Sequence, residues 1–445
     1  MARLDQYLRE VRPTLTLALP IIVGQLSNML MGAVDSVMIG RTGTVPLAAS
    51  SFGTNVFNIF YVLGIGFMVP VAIFVSRSRG AGRPTEAAEY LRHGLATGVG
   101  FGVIMTLVMG VLSWQLERFD QPPEVVAIVR PFFLLIAASL TPTLLYLVLR
   151  EYAESMGHPW APMFIALGSV ALNAVLNWVL IYGNLGAPAL GLTGAGIATL
   201  IARIVNVSVI FLWLRADPKV RDAWPRAWFA PLSGARFKEM LRVGLPAAGM
   251  LLFESSAFAF SSIMNGWLGA VPLAAHQIAI STASMAFMVP LGLAMANGMR
   301  VSHAVGSGER DRLRPIAFAT LGIGITIMVV FALGLGLGGR VIATWYVTDP
   351  AVISLAAQLM IVAALFQLFD GTQVIAASSL RAIMDVRIPA IITCIAYWGV
   401  ALPLGYIIGV RGPFGAVGVW SGIASGLALA AIFMTWRFVR LTRVR

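Results

Sequence analysis

Long apolar runs, separated by short clusters of charged or turn-forming residues, set the pattern of this chain from end to end. Twelve such runs lie at roughly 13–40, 48–76, 94–116, 127–149, 160–183, 190–214, 240–266, 276–299, 315–339, 351–380, 388–410 and 414–436. Each is long enough to cross a bilayer as a helix, for which about 20 apolar residues suffice. The longest exceed that need and are expected to tilt, kink or project into water. Residues 1–12 form a charged, amphipathic lead. A cleavable signal is not expected there, because the apolar run that follows is much longer than a signal core. An even number of spans brings both termini to one side. The polar stretch Arg215 to Arg242, with Asp217-Pro218, Trp224-Pro225 and Ser233-Gly234, divides the spans six and six. It reads as a linker between lobes, with an amphipathic piece on the membrane surface. The expected organisation is a lead (1–12), an N-lobe (13–214), a linker (215–239), a C-lobe (240–436) and a basic tail (437–445).

The two halves repeat each other at a fixed spacing of 226 residues, as from Leu19 to Leu245. Leu19-Pro20 matches Leu245-Pro246, Ser36 matches Ser262, Met38 matches Met264, and Val45 to Ala49 matches Val271 to Ala275. Gly80-x-Gly82 pairs with Gly306-x-Gly308 in the same register. Two alike halves with six spans each start from the same side, so the repeat is parallel, about an axis along the membrane normal. The acids break the correspondence: Glu254 aligns with Asn28, and Asp35 with Ser261. Shared residues read as scaffold and the differing carboxylates as candidates for chemistry.

Bulk composition agrees with a membrane protein: 58% hydrophobic, 11% charged and a mean hydropathy of +0.86. These values exclude an ordinary soluble domain. One cysteine, Cys394, and four scattered histidines give no disulfide framework and no metal cluster. A net charge of +12 raises nucleic acid as a partner, so the position of the basic residues matters. Of the 31 Lys and Arg, only Arg41, Arg118, Arg130, Arg340 and Arg411 fall on the side away from the termini, and Arg203 lies inside a span. The asymmetry follows the positive-inside rule with both termini cytoplasmic, so the charge is topological and no nucleic acid is implied. Glycines 334, 336, 338 and 339 could mimic a phosphate loop, but no strand precedes them and no Lys-Ser/Thr follows; they read as close helix packing. No HExxH, GxSxG or CxxC occurs, so the chain does not read as an enzyme.

Twelve spans in two parallel halves, Val34 to Gly40 reading VDSVMIG, PLAA at Pro46 and again at Pro272, Phe253-Glu254-Ser255-Ser256, and Leu368 to Gln373 reading LFDGTQ together resemble the multidrug and toxic compound extrusion (MATE) family. The Glu254 and Asp370 pair resembles its NorM branch. The likeness covers nearly the whole chain. It implies an all-α membrane protein, a V-shaped pair of six-helix lobes in the bacterial inner membrane. The implied activity is cation-coupled antiport of organic cations, with Na⁺ or H⁺ as coupling ion and no cofactor. The partners would be small organic cations and membrane lipids, with the chain acting as a monomer.

Three span acids carry the expected chemistry, since a charged group in an apolar span costs roughly 2.5–3.5 kcal/mol and is retained for a partner or a task. Asp35 shares a helix face with Asn28, Met31 and Met38. It is either an acid near outer water satisfied by hydroxyls or a cation- and proton-binding carboxylate. The resemblance favours the second, with Asn173, Asn177 and Thr199 as ligands or orienting groups and transient Na⁺ at Asp35, Asn173 and Asn177. Asn177 stands where some relatives carry a second acid, which lowers the site's charge. Glu254 has Ser255, Ser256, Ser261 and Ser262 nearby, and Asp370 has Gln367 and Gln373 one turn to either side. Both are either helix-to-helix hydrogen-bonding groups or a carboxyl pair that exchanges a proton for an arriving cation. Gln277 matches a cavity-facing position of the NorM branch, so Asp35, Glu254, Gln277 and Asp370 form the implied substrate set; an amide at the membrane interface is the alternative for Gln277. His276 beside it reads as interfacial. Arg203 is expected to cap carbonyls or pair with an acid. A lipid-linked precursor flippase is the rival function, kept open by Arg203, and a passive channel ranks third.

Overall fold

The computed structural model describes residues 2–119 and 122–443; the first residue of the lead and the last two of the tail lie outside the described residues. The described residues hold twelve helices long and apolar enough to cross a membrane, and no strand. In chain order these are α1 (Asp5–Gly40), α2 (Thr44–Gly80), α3 (Pro84–Phe119), α4 (Pro123–Ser155), α5 (Trp160–Tyr182), α6 (Gly191–Ala216), α7 (Gly234–Trp267), α8 (Ala270–Gly306), α9 (Arg310–Thr344), α10 (Pro350–Ala382), α11 (Arg387–Val410) and α12 (Gly415–Leu441). Every apolar run of the sequence corresponds to one helix. Several helices extend past their run: α3 begins at Pro84 rather than 94, and α9 begins at Arg310 rather than 315. Hydropathy marks only the part of a helix that sits in hydrocarbon, whereas backbone hydrogen bonding carries the helix on into water.

The chain divides into two compact units, residues 23–248 and residues 1–22 together with 249–445. The divisions fall inside α1 and α7, just after Pro20 and Pro246. Proline within a helix leaves the carbonyl four residues earlier without its partner, which is where a helix bends most readily.

In the 23–248 unit, the stretch between α6 and α7 is not an amphipathic helix. Apart from one short turn at Arg221–Ala223 it is irregular. Pro218, Pro225 and Pro231 remove the donors a helix would need. Side chains of α3 and α4 hold it instead: Arg92 donates to the Trp228 and Ala230 carbonyls, Tyr152 Oη donates to the Ala223 carbonyl at 2.5 Å, and the Ser233 amide donates to His93 Nε2 at 2.9 Å. Trp224, Trp228 and Phe211 stack edge to face over the same surface.

In the other unit, Glu10 of the lead accepts from Arg300 of α8 and, at 2.9 Å, from Arg312 Nε of α9. Helix α11 departs from α geometry over Ile395–Ala401 and Tyr406–Val410, where its bonds reach one residue further. Against it runs α12, whose Gly418, Gly422 and Gly426 present bare backbone: a Cβ on Gly422 would stand 2.4 Å from the Gly405 nitrogen. The glycine run of α9 is different. A Cβ on Gly334 or Gly336 meets nothing within 4 Å, and only Gly339 of that run packs closely on α10, near Met360. Of these two glycine-rich helices the close backbone packing belongs to α12, because glycines four residues apart line up on one helix face and alternate ones do not.

Candidate functional site

Asp35 lies near the C-terminal end of α1, half-buried against α5. Asn177 Nδ2 donates to Asp35 Oδ1 at 2.5 Å, and the same amide nitrogen donates to Asn173 Oδ1 at 3.2 Å. Asn173 and Thr199 lie near the same carboxylate, and the Arg203 guanidinium is close enough to act on its charge. Tyr182 Oη donates to the Met38 carbonyl at 2.7 Å and fixes α1 against α5 at this level. Asn173 and Asn177 sit one turn apart, so one α-helix delivers both amides to one acid from α1. Two of their polar atoms, Asn173 Nδ2 and Asn177 Oδ1, are buried without a partner among the described residues. A buried amide with an unused acceptor beside a carboxylate is equipped to receive a proton donor or a small cation.

Arg203 is held rather than free. Its Nη1 donates to Ser139 Oγ at 2.5 Å, and its guanidinium lies over the Phe57 ring, 4.9 Å from the centroid. The sequence reading expected carbonyl capping or an acid partner. The hydroxyl is available because α4 breaks at Ser139, between its segments Pro123–Ala138 and Leu140–Ser155.

In the other unit, Glu254 of α7 and Asp370 of α10 lie within electrostatic reach of each other. Arg381, at the end of α10, also acts on Glu254, and Tyr397 of α11 is its hydrogen-bond neighbour. Tyr397 Oη donates to Gln373 Oε1 at 3.1 Å. Asp370 is 5% exposed, and its Oδ1 has no partner among the described residues. Gln367, one turn before, is turned away: its Nε2 donates to the Ala283 carbonyl at 2.8 Å. Tyr397 carries one proton and two takers, so its direction of donation reports the charge on Glu254. An ionised Glu254 accepts from the phenol; a protonated one donates to the phenol oxygen, and the phenol then donates to Gln373 Oε1. Neither Tyr397 nor Arg381 was singled out from the sequence. Arg381 directly follows the charge-free stretch Ala351 to Leu380 apart from Asp370, which is the signal that could have marked it.

Gln277 is exposed on α8, and no described contact joins it to Glu254 or Asp370. His276 is not interfacial but fully buried. Trp420 Nε1 donates to His276 Nδ1 at 3.0 Å, Asn265 Nδ2 lies 3.3 Å from the same nitrogen, and Ser262 Oγ lies 2.7 Å from Nε2. Two donors at Nδ1 make it the acceptor and put the ring hydrogen on Nε2. Hydropathy places a histidine next to a glutamine near a span's start at the interface; the indole and amide from two other helices make the interior habitable for it. Trp420→Phe leaves a buried acceptor short of its donor and should cost about 1–3 kcal/mol, read as a lowered melting temperature in detergent.

Among the described residues no three His, Cys, Asp or Glu side chains gather as a metal centre. The three acids are instead one lone carboxyl, Asp35, and one pair, Glu254 and Asp370, with amide, hydroxyl and phenol neighbours. The MatE family model matches this chain twice, over residues 20–179 and 246–407, one match for each half of the repeat. The chain belongs to the MatE family. It is 34% identical over 437 residues to a probable multidrug resistance protein NorM of Xanthomonas axonopodis pv. citri, covering 98% of this chain and 95% of that one. It is 33% identical over 442 residues to the multidrug resistance protein NorM of Burkholderia vietnamiensis, covering 97% and 94%. Among solved structures it resembles an outward-facing multidrug resistance MATE family transporter, with a TM-score of 0.89 at 22% identity, covering 98% of this chain and 97% of that one. It also resembles a MOP superfamily transporter from Pyrococcus furiosus, with a TM-score of 0.90 at 21% identity, covering 97% and 96%. As a MatE protein with twelve spans it is an integral membrane transporter.

Proposed function

We propose that this MatE protein is a multidrug efflux antiporter that exports amphipathic organic cations in exchange for Na⁺ or H⁺. The observation that carries the reading is the set of three span acids, with unused hydrogen-bonding atoms at Asn177 beside Asp35 and on Asp370 itself, and with a phenol, Tyr397, beside Glu254. The NorM names of the relatives support drug resistance as the biological setting. The six-span lobes, 13–214 and 240–436, alternate in access to the two sides, with both termini in the cytoplasm of a bacterial inner membrane.

The acids bind the coupling ion while open to the outside. At Asp35 a proton or Na⁺ takes the charge that Asn177 Nδ2 now satisfies, and the unused Asn177 Oδ1 becomes its second contact. At Glu254 an arriving proton reverses the Tyr397 hydrogen bond toward Gln373. A loaded carboxyl no longer attracts an organic cation, so ion entry and drug departure exclude each other. Each coupling charge moved inward through about 100 mV supplies roughly 2.3 kcal/mol. Export of a monovalent cation therefore uses more than one coupling charge or a chemical gradient in addition.

The flippase reading calls for a basic cavity that binds a pyrophosphate headgroup. Arg203 is the residue that favours it, and Arg203 is occupied by Ser139 and Phe57. Everted vesicles with sodium or acid in the lumen and a fluorescent cation in the medium separate the readings, since export then runs into the lumen. Efflux should follow an imposed sodium or proton gradient and be indifferent to lipid-linked pyrophosphate. Transport of the lipid without any response to either gradient would replace this proposal with the flippase.

A further inference from the structure

Three charged side chains of α4 lie outside the mechanism above and are among the most buried polar residues of the 23–248 unit. Arg150, Glu151 and Glu154 are 6%, 4% and 3% exposed. Arg150 Nη1 donates to Gln25 Oε1 of α1 at 2.9 Å, and its Nε lies 3.4 Å from Glu154 Oε1. Glu151 faces the backbone at Ala72 of α2. The remaining oxygens, Glu151 Oε2 and Glu154 Oε2, are sealed from solvent without a partner among the described residues.

A second, separate group points into the same place. Ser76 of α2 is 1% exposed, and its hydroxyl has no partner. Ala72 accepts from Ser155 Oγ at 3.2 Å, and Arg79 Nη1 donates to the Ser155 carbonyl at 3.0 Å. Residues 72, 76 and 79 share one helix face. The Ser76 hydroxyl is therefore bracketed by two residues that touch α4 at 151 and 155. The other titratable groups facing the cluster are Tyr146 on α4 and Tyr61 on α2, while Arg79 of α2 is turned to the Ser155 carbonyl and neither acid acts on it.

The repeat shows that packing at this position does not require carboxylates. The turn after α4 and the turn after α10 match bond for bond: His158 N to the Ala153 carbonyl and Asp385 N to the Leu380 carbonyl are both 2.9 Å. Gly157 and Met384 both have positive φ, at 87° and 69°. In that register Glu151 and Glu154 correspond to Ser378 and Arg381. At the first of these positions a neutral hydroxyl suffices, with Asn297 Nδ2 donating to Ser378 Oγ at 2.9 Å, and at the second an arginine stands in place of the acid.

Two carboxylates against one guanidinium leave one negative charge in a space closed to water, and an uncompensated buried charge is heavily penalised. A metal cation is disfavoured by the guanidinium already beside Glu154. We propose that Glu151 and Glu154 form a second proton-binding site, sharing one proton opposite the Ser76 hydroxyl. Gln25 ties this site to α1, ten residues or about 15 Å along the helix from Asp35. The site stands in series with Asp35 on the same unit and does not depend on the cargo or the coupling ion of the carrier.

The test is infrared spectroscopy of the full chain in liposomes, in the triple variant Asp35→Asn, Glu254→Gln, Asp370→Asn, which lacks the three span acids of the transport reading. A buried protonated carboxyl, identified by slow hydrogen–deuterium exchange, should persist in that variant with an amplitude of one group per chain. Adding Glu151→Gln or Glu154→Gln should abolish it. Glu151→Gln keeps the Arg150–Glu154 pair, so it provides a folded variant even where Glu154→Gln does not. Absence of the band from the triple variant, or its survival in both glutamine variants, overturns the proposal. Its disappearance on adding sodium at constant pH overturns it too, in favour of a cation site. No transport is measured, so failure here leaves the efflux reading untouched, and loss of efflux leaves this one untouched.

Discussion

Asp370→Asn should lower ion-coupled efflux in everted vesicles by at least roughly tenfold while leaving the melting temperature unchanged or raised. A factor of ten corresponds to about 1.4 kcal/mol, within the range of a single hydrogen bond to a charged group. Asp370 Oδ1 has no hydrogen-bond partner for the protein to lose, and Asn occupies the same volume. Removing one acid also relieves its repulsion with Glu254. A residue serving the fold would show the opposite pattern, with lower stability and retained transport. Glu254→Gln should behave likewise. Tyr397→Phe should weaken coupling less, since it removes the phenol that responds to Glu254 and leaves both acids in place. Asp35→Asn keeps an oxygen that can accept from Asn177 but removes the charge, and should also abolish coupled efflux. Full activity in Asp35→Asn, Glu254→Gln and Asp370→Asn alike would end the three-acid account.

Gly422→Val should strongly destabilise the protein. Even an ideal Cβ there lies 2.4 Å from the Gly405 nitrogen, 2.5 Å from its Cα and 2.6 Å from the Ala401 oxygen. All three are backbone atoms, so no rotamer change can make room. Forcing extra carbons into a packed interface costs typically about 1–3 kcal/mol, and more where backbone must move. The control is Gly336→Ala, whose Cβ meets nothing within 4 Å. An exposed helical Gly→Ala change gains up to about 1 kcal/mol from helix propensity. Melting curves in detergent should therefore separate the two variants in opposite directions. Equal melting temperatures would show that α11 and α12 do not depend on this contact.

These two predictions draw on different kinds of knowledge. The importance of Asp370 and Glu254 was legible in the chain, because a carboxylate in an apolar span is conspicuous wherever the helix lies. The importance of Gly422 was not. A chain with 45 glycines gives no sign of which face a neighbouring backbone, and the alternating run at 334–339 drew attention away from α12. His276 was misread for the same reason: hydropathy saw its distance from the end of a span and could not see Trp420 and Asn265 arriving from other helices.

By itself the sequence determined the spans, the parallel repeat and the three acids, since each follows from the cost of putting polar groups into hydrocarbon and is a property of position along the chain. Tertiary structure alone decided which groups meet an acid: Asn177 on Asp35, Tyr397 and Arg381 on Glu254, Gln25 on Arg150. It also decided that the last polar stretch before α7 is pinned by Arg92 and Tyr152 rather than floating as a helix. The rotation of one helix about its axis against the next is fixed by packing across the whole unit, and no local pattern of apolar and polar residues encodes it.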